Sequence, residues 1–212
     1  KIKNLVKQYG ENIKYTIGQR IVLSQMWNKC FDLASGNIFM HCGDDIIFKS
    51  NNWDDLIKNA FKKYDDKIVL VYGRDGNHDE RLSTHAFLHR NWVDCVGYLV
   101  PPYFSSDWND VWLFDVSGMI NRRKYLKDVF TEHMHPHIGK ADFDKTHQER
   151  EERGLKDNVK KIYKSHSSNR KKDAFKLLNF INNNSASNQK KLKNKLYRLK
   201  NKLRIYFYKE FK

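Results

Sequence analysis

The sequence predicts an α/β fold: a parallel sheet covered by helices. Three observations predict it. Apolar residues recur at helical spacing in some segments and run continuously in others. The two kinds of segment alternate as helix, strand, helix, strand through residues 19–73. The segment "KIVLVYG" (Lys67–Gly73) is a continuous branched run closed by glycine, the signature of a strand buried on both faces.

Each element has its own justification. Residues 19–34 place Val22, Met26, Cys30 and Leu33 at helical spacing, and Gly36 stops that helix. Ile38–Cys42 is a short apolar run and predicts a strand. Asn51 or Asn52 can cap a second helix whose inner stripe is Leu56, Ile57, Ala60, Phe61 and Tyr64. "GRDGNHDERLSTHAFLHR" is rich in polar groups between two strands, and Arg74, Asp75, Gly76 and His78 predict a mobile loop at the sheet edge, with a substrate role as the alternative. "HAFLH" (His85–His89) reads as a strand. A Pro-Pro turn leads into a helix entered at Ser105, Ser106 or Asp107. "YLKDVFTEHMH" is a strand ending in histidines, and helices dominate after about residue 145. "NNNSASNQ" (Asn182–Gln189) is a linker by composition.

Composition narrows the class. The 212 residues are 40% apolar and 14% aromatic, which predicts a globular chain rather than a disordered one. Three cysteines without a CxxC spacing suggest buried thiols in a reducing compartment, hence a cytoplasmic protein. There is no signal peptide and no apolar run of about 20 residues. The chain opens without Met, so the sequence reads as a fragment with residues upstream. The formal charge of +15 is uneven: residues 190–212 hold ten Lys and Arg against one Glu. There Leu192, Leu196, Leu199, Leu203 and Tyr206 stand at 3–4 spacing among the lysines. They predict a basic amphipathic helix suited to an anionic membrane surface, or an apolar stripe packed on the main domain or another copy. The charge also admits nucleic-acid binding, but no nucleic-acid motif is present and no specific nucleic acid is expected. The organisation expected is a domain over 1–150, a helical extension over 151–184 and a tail helix over 185–212.

Three constellations can carry chemistry. Gly43-Asp44-Asp45 ends the second predicted element. Carboxylates beyond a strand end can hold a divalent cation, or simply cap a turn. "EHMHPHIGKADFD" places His133 and His135 on one face of a strand, with His137 close behind. Imidazoles there can ligate Mn²⁺ or Zn²⁺, or line a solvated loop. Asp107 and Asp110 share the first turn of a helix. They are either a general base or acids favoured by the helix dipole. Trp108 and Trp112 suit a sugar face or a core.

Taken in order, "MHCGDDIIF", "NWDDLI", "NDVWL" and "EHMHP" resemble the inverting, family 2-like glycosyltransferases of the GT-A fold. The resemblance implies a Rossmann-like mixed sheet flanked by helices, without its usual first strand. It also implies transfer of a sugar from a nucleotide-sugar donor to a glycan or lipid-linked acceptor. Asp45 would bind Mn²⁺ or Mg²⁺ on the donor diphosphate, and Asp44 the donor ribose or the same metal. Asp110 would be the catalytic base, and His135 or His133 the late metal ligand, with His135 preferred. Asp107 and Trp108 would shape the acceptor site. The alternative is a non-catalytic carbohydrate- or nucleic-acid-binding protein, and the tail would hold the enzyme at the inner face of a membrane.

Overall fold

The computed structural model describes residues 6, 8–184 and 188–209, without the side chains of Glu11 and of residues 188–194. Its centre is one five-stranded sheet of order β1-β4-β3-β5-β2. The strands are β1 (Ile38–Met40), β2 (Ile46–Phe48), β3 (Leu70–Arg74), β4 (Phe87–His89) and β5 (Arg123–His133). The sheet is mixed rather than parallel. β3 and β5 run parallel, while β1 with β4, β3 with β4 and β2 with β5 run antiparallel. The alternation in the sequence is real, but the loops 41–45 and 75–86, neither of them a helical crossover, reverse the chain where a parallel sheet needs one.

Helices cover both faces. The first is α1 (Leu23–Leu33), then α2 (Trp53–Lys62), α3 (Arg90–Val96) and α4 (Asn109–Met119). The later ones are α5 (Lys145–Asp157), α6 (Val159–Ser165), α7 (Ser167–Asn183) and α8 (Asn188–Phe207). On one face α2 buries Ile57, Ala60 and Phe61 against Val69, Val71, Phe87 and Val129, while Leu56 points outward. On the other, Leu70, Tyr72 and Leu88 meet Trp92, Trp112, Leu113 and Val116. Tyr163, Ala174, Leu177, Leu178 and Ile181 join that same core, so residues 163–181 pack as part of it.

Some expectations are corrected here. Met26, Cys30 and Leu33 lie on the outer side of α1. The inner side carries Ser24, Trp27, Asn28 and Phe31, because loop 99–104 presents backbone groups that need partners. Ser24 donates to Phe104 O at 2.7 Å, and Asn28 both donates to Val100 O and accepts from Leu99 N. Burying satisfied polar groups beats burying a thioether there. Helix α4 starts after Trp108, whose φ of 77° makes it the left-handed N-cap, not at Ser105 to Asp107. The cysteines are free, with Cys30 exposed rather than buried. Among the described residues no helix is long and apolar enough to cross a membrane.

Candidate active site

The sheet order gathers chemistry at one edge. Parallel β3 and β5 end there together. Antiparallel pairing brings the start of β4 beside the end of β3, the end of β1 beside the start of β4, and the start of β2 beside the end of β5. His41, Asp45, Asp75, His85 and His133 therefore meet from five separate places in the sequence, beyond the strand ends where open α/β sheets bind ligands. Two backbone bonds fasten the edge: His133 N–H donates to Asp75 O at 2.9 Å and Met134 N–H to Asp45 O at 2.7 Å.

Asp45 and His133 form the central pair, with Nε2 3.0 Å from Oδ2. That hydrogen bond holds the Asp45 carboxyl below its ordinary range despite partial burial. The ring of His85 stands edge-on to His133, centroids 4.8 Å apart. Burial, reinforced by His133, pushes His85 down to about 4 although Asp75 and Asp45 oppose it. Burial and then His85 push His41 down to about 3; the backbone of Ala86 lies near enough to oppose this but not in hydrogen-bond geometry. Buried Nδ1 atoms of His85 and His133 and both ring nitrogens of His41 lack a protein partner.

Loop 74–79 is clamped by hydrogen bonds to its own side chains. Burial alone would raise the Asp75 carboxyl. Instead Oδ1 accepts from the N–H groups of Asn77, His78 and Asp79 at 2.7–2.9 Å, and Oδ2 from the Thr84 hydroxyl, so the group sits below its ordinary range. Asp79 returns the favour through Oδ1, which accepts from the N–H groups of Asp75 and Gly76. Gly76 and Asp79 take positive φ (79° and 49°), as such a reciprocal turn requires.

The other expected residues divide. Asp44 is exposed at the turn, apart from the pair. His135 turns from Asp45 towards helix α5: its Nε2 lies 3.2 Å from Nη1 of Arg150, and burial and Arg150 lower it to about 4. Asp107 is exposed, 3.7 Å from Arg150, and Trp108 packs on Tyr163. Asp110 keeps some exposed surface, yet its carboxyl is enclosed by protein. Burial, then Asp107, raises it to about 6, against the Val111 N–H that donates to Oδ1 at 2.8 Å and, more weakly, against His133. His41, His85 and Arg150 also lie at this cluster, and sequence reasoning missed them. The Nε of Arg150 is buried without a protein partner.

The family model for calcineurin-like phosphoesterases matches residues 16–208, from before α1 to the end of α8. The chain belongs to the calcineurin-like phosphoesterase family. No curated protein and no solved structure matches it. The membership overturns the resemblance to a glycosyltransferase, and with it sugar transfer, the nucleotide-sugar donor and the glycan or lipid-linked acceptor. The physical reason is that acids and imidazoles collected at strand ends serve any reaction at phosphate oxygens, so their order along a chain does not separate transfer from hydrolysis. For this calcineurin-like phosphoesterase the expected divalent metal stands as a property of the family; neither Mn²⁺ nor Mg²⁺ follows from it.

Carboxylate and imidazole are suitable donor types for such a metal. Their placement is not suitable: among the described residues no three His, Cys, Asp or Glu side chains are set to hold one ion, and Nε2 of His133 is engaged by Asp45. As arranged, these residues do not fit a metal ion.

Proposed function

We propose that the chain hydrolyses phosphoester bonds at the sheet edge that holds the Asp45–His133 pair, with Asp110 within electrostatic reach of His133. The observation that carries this reading is the family match, which spans every one of these residues. The electrostatics support the division of roles. Two carboxyls near one imidazole are pushed apart, Asp45 down and Asp110 up to about 6, which is the pattern of a base partner and an acid.

The chain's own groups then act as follows. Ionised Asp45 only accepts, so His133 donates through Nε2–H and keeps a lone pair on Nδ1. Nδ1 is buried, so substrate entry must open the site there; a water admitted to Nδ1 then attacks phosphorus as its proton passes to His133. The bond from phosphorus to the leaving oxygen breaks, and Asp110 gives its proton to that oxygen. Arg150 binds a non-bridging phosphate oxygen through its guanidinium, whose Nε has no protein partner and is buried until substrate opens the site.

The test is release of p-nitrophenol from p-nitrophenyl phosphate and from bis(p-nitrophenyl) phosphate, each with Mn²⁺, Mg²⁺, Zn²⁺ or EDTA. The wild-type chain should hydrolyse at least one of them well above Asp45→Asn. No hydrolysis of either ester under any of these conditions would overturn the reading.

A further inference from the structure

Helix α8 turns its predicted stripe the opposite way from a packed helix. Ile205 and Asn201 are buried, and the Tyr197 hydroxyl donates to Ile120 O. Tyr208, just past the helix, donates to Asp115 and accepts from Arg123. These inward residues fall at 197, 201, 205 and 208, one face at helical spacing. Leu196, Leu199, Leu203 and Phe207 occupy the opposite face, 69%, 60%, 50% and 79% exposed. Leu192, the first residue of the predicted stripe, lies outside the described side chains.

Charge borders that apolar face on both sides. At 100° per residue, Lys195, Arg198 and Lys202 lie along one edge and Lys200 and Arg204 along the other, all exposed. The helix has eight Lys and Arg and no acid. A continuous leucine stripe between two basic edges is the layout of a helix lying in a bilayer interface. The stripe enters the acyl boundary, and the long cationic side chains reach up to the headgroups.

We propose that the outer face of α8 docks on an anionic lipid surface. Charge complementarity selects this occupant. A second copy would set eight cations against eight, with no acid on the helix to relieve them. A nucleic acid would engage the basic edges but leave Leu196, Leu199, Leu203 and Phe207 in water. The proposal stands apart from the catalytic reading, since α8 contributes none of the groups assigned there.

The experiment is co-sedimentation of the full chain with phosphatidylcholine vesicles, with and without phosphatidylserine, at rising salt. The wild type should bind only vesicles containing phosphatidylserine, and less as salt rises. Leu199→Glu/Leu203→Glu should lower the partition about tenfold or more. Its thermal midpoint should not move, because both residues point away from the core. Three results would overturn the proposal: no binding to phosphatidylserine vesicles, equal binding by the double variant, or a wild-type dimer in light scattering that the double variant abolishes. Binding of an RNA oligonucleotide by both proteins, without vesicle binding, would overturn it in favour of nucleic acid.

Discussion

Nε2 of His133 lies 3.0 Å from Oδ2 of Asp45, across 88 residues of sequence. The contact follows from register. Ile46 pairs with His133 in the β2–β5 ladder, and the residue before Ile46 is brought to the same edge. A one-residue slip would turn His133 to the other face of the sheet and remove the pair.

Asp110→Asn removes the proposed proton donor. Hydrolysis should fall by about 100-fold, in the range of lost acid catalysis. The wild-type rate should also decline as pH rises through about 6, where Asp110 loses its proton, and the variant should lack that limb. Steady-state pH profiles of both proteins check this.

Arg150→Lys keeps the charge but loses the guanidinium fork and its Nε donor. The KM for p-nitrophenyl phosphate should rise roughly tenfold, and inhibition by inorganic phosphate should weaken in parallel. Unchanged inhibition by phosphate would remove Arg150 from the binding site.

Stability should fall as pH drops from about 6.5 towards 4. His41, His85 and His135 are held neutral in the fold, at about 3, 4 and 4, so the unfolded chain binds more protons over that window. Asp110, raised to about 6, works the other way, since the folded state holds its proton while the unfolded state has lost it. The three imidazoles outweigh Asp110 and Asp173, the two carboxyls that burial raises. His41→Phe should flatten the slope by about 1.4 kcal/mol per pH unit, one proton's worth. Urea titrations at several pH values measure it.

Gly73→Ala should destabilise the fold by about 1–3 kcal/mol. A Cβ there would run into the backbone oxygen and side chain of Val129, at the register shift between β3 and β5. Thermal unfolding checks it, and a midpoint equal to wild type would show that β5 can yield.

Local pattern revealed most of the strands and helices, because the continuous run at Leu70–Tyr72 and the stripe at Ile57, Ala60 and Phe61 write their burial into the sequence. Asp45 and His133 were legible as strand-end acid and imidazole. His41 and His85 were not, because only the pairing of β1 with β4 brings His41 beside His85, and only the pairings of β3 with β4 and β5 bring His85 beside His133. Asp75 looked like part of a loose loop, since one carboxylate collecting three backbone N–H groups cannot be read from composition. The outward leucines of α8 were misleading in a different way: their spacing shows an amphipathic helix but not which face the core takes, and Asn201 with Ile205 took it. The reaction itself was misread, because the same acids and imidazoles suit two kinds of phosphate chemistry.

The most direct measurement is phosphate release from p-nitrophenyl phosphate, with Mn²⁺ present, by wild type, Asp45→Asn, His133→Asn and the double variant. If the pair acts as one unit, each single change should cost about 100-fold and the double change no more than the worse single. A wild type that releases no phosphate, or a double variant as active as the wild type, would contradict phosphoester hydrolysis at this pair.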